Sequence, residues 1–481
     1  MLLKAKLSQK VEFIKLRTPM ELTDLQSELF QDPVLSKLSK RVKRERIPFF
    51  LVGGYLRDLC LGKGRGDYDF VLPEKDSSFL SAIEEVLQVH FFRVGKETGT
   101  SSFRVTGQGL SLDVTFFQGQ TIEEDLKRRD FTINTIAFSL LDETWHWAEG
   151  ALEDMRNRRV RAVSDRSIDL DPLRMLRAIR YACVLPDFSI EKSLQEEIAS
   201  KRGLILKIPA ERVKAELDRI LLSPRQNNGV KALHETGLLM TLFPELRGLE
   251  DLGQDEHHHL NALPHTLLAL EKIPWVIERL MSKGREVFLS QEDLASLSYA
   301  LLFHDIGKQN TYSKDEGGKV HFYRHEDFSC QAAEGVMKRL RFSNLEQERV
   351  LCLIRNHMRI LNLSRATGEP ALKRLVHQLG KETILLVLHT IADKEASRGP
   401  LSCQKDEGME DLCLHLLELF AQQEIIHPPP LVDGRDVMAL GYCPGPRIGQ
   451  ILSLIRRKQV EGEIKTREEA LRVLRDEFTF Q

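Results

Sequence analysis

Residues 49–72, FFLVGGYLRDLCLGKGRGDYDFVL, constrain what this chain can fold into more than any other stretch. Phe49 to Val52 is a short apolar run of the kind that forms a buried strand. Gly53 and Gly54 follow at once, and without Cβ atoms their backbone amides are open to an anion such as a phosphate. Tyr55 to Leu61 has helical spacing and carries Arg57. A glycine-rich turn, Gly62 to Gly66, then delivers the chain to Asp67-Tyr68-Asp69-Phe70-Val71-Leu72. In a strand, residues i and i+2 share a face, so Asp67 and Asp69 project together. Paired carboxylates repel unless a cation lies between them, and hard oxygen ligands suit Mg²⁺. Each motif alone is weak, since a lone D-x-D is more often two solvated aspartates. Their order and closeness are what carry information.

At 481 residues the chain exceeds one ordinary core, and several domains are expected. A net charge of −2 means that any nucleic-acid binding rests on local basic patches and not on overall charge. The seven cysteines form no C-x-x-C pair, which points to reduced thiols in a cytoplasm and away from a disulfide framework. No run approaches the roughly 20 apolar residues of a membrane span, and Met1 to Arg17 lacks the apolar centre of a signal peptide.

In chain order, a leader is followed by an expected helix from Glu21 to Arg46. After the opening motif come a helix, Phe79 to Leu87, and three strands: Phe91 to Val94, Thr100 to Thr106 and Ser111 to Phe117. The last, SLDVTFF, puts Asp113 where it could lie beside the D-x-D strand as a third catalytic carboxylate, to hold metal or activate a hydroxyl; an edge-strand aspartate is the plain alternative. Next, EEDLKRRDFTIN sets Lys127, Arg128 and Arg129 beside Asp130, with Asn134 one helical turn on. Guanidinium forks are natural partners of a triphosphate, while a carboxylate or amide can hold ribose hydroxyls. From Asp169 a further helix is expected, with Arg174, Arg177 and Arg180 at i, i+3 and i+6.

GGYLRD, DYD and RRDFTIN, in this order and spacing, resemble the class II tRNA nucleotidyltransferase and bacterial poly(A) polymerase family. The resemblance implies an α+β protein: a polymerase-beta-like nucleotidyltransferase head of mixed sheet and helices, then all-α domains. The boundaries implied are a leader and helix over 1–47, the head over 48–163, a helical neck over 164–250, an HD domain over 251–400 and a tail over 401–481. It implies Mg²⁺ on Asp67 and Asp69, CTP and ATP as substrates, and the tRNA acceptor end as partner. Gly53, Gly54, Arg57 and Arg129 would cradle the triphosphate, and Asp130 with Asn134 the ribose. Asp171 and Arg174 would read the base, with Arg177 and Arg180 completing the nucleotide site. The family usually has Glu-Asp where this chain has Leu170-Asp171. Glu211, Arg212 and Glu216, in PAERVKAELDR, read as a structural brace.

The second half is marked by His265, His304-Asp305, His325, His357 and Asp393, in that order. This pattern resembles the HD phosphohydrolase superfamily and implies a metal site of mixed nitrogen and oxygen donors, suited to Mn²⁺, Fe²⁺ or Ni²⁺. His257 to His259 read as a solvated helix start. In the tail, Arg447, Arg456, Arg457 and Lys458 face either RNA phosphates or solvent.

The whole implies template-independent addition of C and/or A to the 3′ end of tRNA, with a metal-dependent phosphohydrolase attached. Two alternatives stay open: a poly(A) polymerase, and an HD phosphohydrolase with an inactive head. In full CCA-adding members a flexible charged loop precedes the RRD motif and helps the pocket change from C to A. Here only Gln118 to Ile122 separates DVTFF from EEDLKRRDF, which suggests a CC-adding specialist, with an A-only enzyme as the mirror case. The segment Gly95 to Phe103 is the other candidate lever.

Overall fold

The computed structural model describes residues 22–478, apart from 64–66, 95–101, 108–109, 255–259, 364–366, 398–407 and 423–427. The chain forms two compact units that meet in sequence between Leu242 and Phe243. The triple histidine and most of Gly95 to Phe103 lie outside the described residues.

In the first unit, the expected single helix from Glu21 to Arg46 is two: α1 (Leu22–Phe30) and α2 (Pro33–Glu45). Pro33 cannot continue a helix from behind, but it suits a first turn. Asp32 caps α2, accepting from the Val34 and Leu35 amides at 2.8 and 3.2 Å. Although only 1% exposed, its carboxylate is well satisfied, because the Tyr55 and Tyr68 hydroxyls also donate to it at 3.0 and 2.8 Å.

The sheet that follows is built from β1 (Phe50–Val52), β2 (Tyr68–Leu72), β3 (Phe92–Val94), β4 (Ser102–Gly107), β5 (Leu110–Phe116), β6 (Ile136–Ser139) and β7 (Trp145–Trp147). Their order across the sheet is β3-β4-β5-β2-β1-β6-β7. Only the β2–β5 pairing is parallel, with Asp69 directly opposite Asp113. The helices interleaved with these strands are α3 (Gly54–Cys60), α4 (Phe79–Leu87) and α5 (Ile122–Lys127).

Strand alternation decides what each face carries. One face stacks Phe49 on Phe70 at 4.6 Å between ring centroids and sets Phe79 of α4 edge-on at 5.5 Å. The other face packs Phe50, Val52, Val71 and Ala137 under Ile122 and Leu126 of α5. Each large apolar side chain buried this way contributes about 1.5–3 kcal/mol. Asp69 belongs to the α5 face, one register step beyond Val71 and opposite Val52. The sheet core thus ends in a carboxylate.

Beyond the sheet lie α6 (Ala151–Arg156), α7 (Ser167–Leu170), α8 (Arg174–Val184), α9 (Lys192–Lys201), α10 (Ala210–Leu221), α11 (Gln226–Glu235) and α12 (Leu238–Leu242). The helix expected from Asp169 is broken, and α8 starts only at Arg174. Pro172 disfavours helical angles at the residue before it, and Asp171 is extended at φ −148°, ψ 101°.

The second unit is helical: α13 (Ala262–Ser282), α14 (Gln291–Phe303), α15 (Lys308–Thr311), α16 (His325–Arg339), α17 (Asn344–Leu361), α18 (Glu369–Leu379), α19 (Glu382–Ser397) and α20 (Met409–Ala421). A hairpin of Tyr312–Lys314 and Val320–Phe322 joins α15 to α16. The tail has a small core of its own, Val432, Val437, Ile451, Ile455, Ile464, Ala470 and Leu474. Among the described residues no helix is long and apolar enough to cross a membrane.

Candidate active site and metal centre

In the first unit, Gly53 caps α3 at φ +73°, a left-handed angle that favours glycine. A Cβ there would also come within 3.2 Å of the Arg129 guanidinium and 3.5 Å of Asp69. The Gly-Gly turn therefore lies directly against the D-x-D carboxylate. Asp67 is exposed, whereas burial pushes the Asp69 carboxyl up to about 6. Arg129 and the Gly54 amide pull it back, while Asp113 and Asp67 push it further up. A carboxylate that pays this much to stay ionised is suited to holding a cation. Asp113, across from Asp69, is bound by both arms of Arg104 at 2.6 and 2.8 Å. Nothing in the sequence singled out Arg104; its position opposite Asp113 follows only from the β4–β5 register.

Around this edge most of the other expected nucleotide residues are held by ion pairs and hydrogen bonds. Arg129 pairs with Asp125 at 3.0 Å. Arg57, 8% exposed, donates to Asn134 Oδ1 at 2.7 Å and lies over the Tyr181 ring at 5.0 Å. Asn134 in turn donates to Asp130 at 2.9 Å, and Asp130 pairs with Arg177 at 2.7 Å. Burial raises the Asp130 pKa, but Arg177 and these hydrogen bonds outweigh it and hold the group below the usual carboxylate range. Arg180 pairs with Glu216 at 2.7 Å and also lies over the Tyr181 ring, at 4.3 Å. Tyr181, near two guanidiniums, carried no sequence signal beyond its place after Arg180.

Asp171 and Arg174 do not meet each other in this arrangement. Arg174 donates to the Arg128 and Arg129 carbonyls at 2.8 and 3.1 Å and to Ser167 Oγ at 2.9 Å. Asp171 accepts from the Leu173 amide at 3.1 Å and from Arg212 at 3.0 Å. Arg212 thus holds a residue expected to read the base, a contact beyond the bracing read from its motif.

In the second unit, all six expected ligands converge and none is more than 6% exposed. Two groups of donors form: His265, His304 and Asp393, and Asp305, His325 and His357. His265 Nε2 lies 2.8 Å from Asp393, and Asp305 reaches both His304 at 3.2 Å and His325 at 3.4 Å. His304, His325 and His357 each donate Nδ1–H to a carbonyl three residues back, at 2.8, 2.9 and 2.6 Å. Their Nε2 lone pairs are therefore turned inward. The Nε2 atoms of His325 and His357 face each other at 3.0 Å, a repulsive arrangement unless a proton or cation lies between them. Donor types, burial and inward lone pairs all fit divalent metal. Lys308, which no motif singled out, sets its ammonium 2.7 Å from Asp305 and 2.6 Å from Gln254 Oε1. The same holds for His389, whose ring lies beside those of His304 and His357. Their signals were spacing alone: Lys308 three residues after Asp305, and His389 four before Asp393.

A mixed sheet ending in paired aspartates beside a glycine turn, followed by helices rich in arginine, defines a nucleotidyltransferase head with an α-helical extension. Residues 49–161 match the poly A polymerase head domain, 187–249 the probable RNA and SrmB-binding site of polymerase A, and 321–474 a putative second domain of tRNA nucleotidyltransferases. The chain is 31% identical to the A-adding tRNA nucleotidyltransferase of Deinococcus radiodurans over 87% of this chain and 93% of that one. It is 33% identical to the CC-adding tRNA nucleotidyltransferase of Thermus thermophilus over 88% of this chain and 92% of that one. The chain belongs to the tRNA nucleotidyltransferase and poly(A) polymerase family. Its fold matches the Thermotoga maritima CCA-adding enzyme complexed with tRNA, at a TM-score of 0.59 and 21% identity over 94% of this chain and 97% of that one.

Proposed function

We propose that this chain adds C and/or A to the 3′ end of tRNA without a template, taking CTP and ATP. The observation that carries this reading is Asp69: half-buried at the sheet's end, opposite Asp113 and beside the Gly53–Gly54 turn, with its pKa raised to about 6. Asp67 and Asp69 would hold Mg²⁺, and a divalent ion there lowers the pKa of the attacking hydroxyl and stabilises the leaving pyrophosphate. The Gly53–Gly54 turn and Arg129 would hold the triphosphate at hydrogen-bond distance from backbone and guanidinium donors. Arg57, Asn134, Asp130 and Arg177 would act as a linked set, the first presented to the nucleotide and the rest fixing its orientation. Asp171 and Arg174 would release their present partners and pair with the base. Asp113 would join the metal site after leaving Arg104. The six free cysteines among the described residues suit a reducing cytoplasm. The test supplies labelled CTP and ATP to tRNA lacking its terminal CCA, beside ATP alone with an unstructured RNA. Long tails on the unstructured RNA would replace this reading with a poly(A) polymerase.

The second unit supports a second activity. Its buried donor set would hold Mn²⁺, Ni²⁺ or Fe²⁺, and such an ion activates water for attack on a phosphate ester. Lys308, paired with Asp305 at 2.7 Å, would help to neutralise the ester's negative charge. The two chemistries should be separable, because their ligands lie in different compact units. His304→Ala or Asp305→Ala is expected to remove metal-dependent phosphatase or cyclic-phosphodiesterase activity and leave nucleotide addition within about twofold of wild type. If the wild-type protein with Mn²⁺, Ni²⁺ or Mg²⁺ hydrolyses no phosphate ester, the second activity is absent.

A further inference from the structure

His389 lies on α19 and is 0% exposed. Neither of its ring nitrogens has a hydrogen-bond partner among the described residues. Buried polar groups are nearly always satisfied, and an imidazole with both nitrogens idle is rare enough to call for an explanation. Its surroundings supply one. Its ring centroid is 5.2 Å from that of His304 and 5.8 Å from that of His357. Within the expected ligand set the corresponding spacings are 5.0 Å for His325–His357, 5.3 Å for His304–His357 and 5.8 Å for His265–His304. His389 therefore stands as close to two ligands as the ligands stand to one another.

Helix geometry leads to the same place. His389 and Asp393 are four residues apart on α19, and side chains at i and i+4 share one face. Asp393 is a member of the donor group formed with His265 and His304. His304, His325 and His357 are each locked by an Nδ1 contact to a backbone carbonyl. His389 has no such tether among the described residues; its nitrogens stand outside the two donor groups, so joining the ion requires its ring to turn.

We propose that His389 is a further metal ligand of this centre, completing the coordination of the ion held by His304 and Asp393. The proposal rests on reading the buried cluster as a metal centre. It makes five imidazoles and two carboxylates available to two ions, a set that favours Ni²⁺, Co²⁺ or Fe²⁺ over Mg²⁺.

The test uses the full chain, stripped with chelator and titrated with Co²⁺, read by visible absorption and by calorimetry. His389→Leu preserves apolar packing volume, and His304→Ala serves as a control for the centre itself. The expected result is two Co²⁺ ions in wild type and, in His389→Leu, one ion bound at least tenfold more weakly with a shifted absorption band. The metal-free melting temperature of that variant should stay near wild type. If His389→Leu keeps stoichiometry, affinity and spectrum while His304→Ala loses an ion, His389 only packs, and the proposal fails with the centre intact. If wild type binds no ion, both fail. Where His389→Leu does not fold, His389→Gln is read by its spectrum: a shift toward oxygen ligation supports the ligand role, and an unchanged band overturns it.

Discussion

Asp69→Ala is expected to lower nucleotide addition by roughly a thousandfold or more, because it removes metal-assisted charge stabilisation worth several kcal/mol of barrier. Binding of tRNA should change little, since backbone and shape contacts dominate affinity for a folded RNA. Asp69 sits inside the sheet, opposite Val52 on one side and Asp113 on the other, so no neighbouring carboxylate can take its place without moving a strand. The raised pKa gives the same prediction a second readout. A carboxyl that titrates at about 6 when folded, against an ordinary 3.8, binds a proton more tightly folded than unfolded. Its contribution to metal-free stability is full below pH 3.8 and lost as pH rises through about 6. Above that, a bound cation would take the proton's place. In a His304→Ala background, which disables the second unit's centre, Mg²⁺ should therefore raise the melting temperature clearly at pH 7.5 and far less at pH 5, and adding Asp69→Ala should abolish the difference. A variant retaining a tenth of wild-type turnover would show that the metal is held elsewhere.

The parts of this architecture that could be read in advance are those fixed by neighbours in sequence. The strand at Phe50–Val52, the glycine turn and the D-x-D strand follow from an apolar run, two residues without Cβ and period-two alternation, all within residues 49–72. The helix breaks at Asp32-Pro33 and Asp171-Pro172 were equally local, yet helical periodicity on both sides masked them. What the sequence withheld is the identity of partners far along the chain. Arg104 meets Asp113 only because β4 runs antiparallel beside β5. Arg212 reaches Asp171 across 41 positions. Asp130 and Asn134, expected to hold ribose, are tied to Arg177 on α8 and Arg57 on α3, partners 47 and 77 positions away that only the fold brings beside them. The six metal-binding candidates were legible by residue type and order. His389 was not, since a histidine on an apolar helix face looks like core until the neighbouring rings are seen.

With tRNA ending at its discriminator base and both CTP and ATP supplied, the expected product of this chain ends in CC and not in CCA. Between β5 and α5 there is no room for a lever. The Phe117 amide bonds the Leu72 carbonyl at 3.0 Å, Gln118 bonds Asp125 at 3.1 Å, Gln120 bonds Glu124 at 2.7 Å, and Thr121 caps α5. That connector is pinned at both ends. To read any base, Asp171 must leave Arg212 and the Leu173 amide, and Arg174 the Arg128 and Arg129 carbonyls, and a pinned connector offers nothing to re-aim the released pair for a second base. Cytosine and adenine both offer an exocyclic amine and a ring nitrogen, but at different distances from the sugar, so reading both requires re-aiming the pair. A pair that cannot be re-aimed leaves a polar group unmet with the second base, a penalty of roughly 1–3 kcal/mol at the addition step. Relatives of comparable similarity differ in what they add, one being A-adding and one CC-adding, so overall identity does not decide the matter and the expectation rests on the connector. Sequencing the product ends is the measurement. Efficient completion to CCA by this chain alone would sink the specialist reading, and addition of A alone to tRNA already ending in CC would point to the mirror specialist.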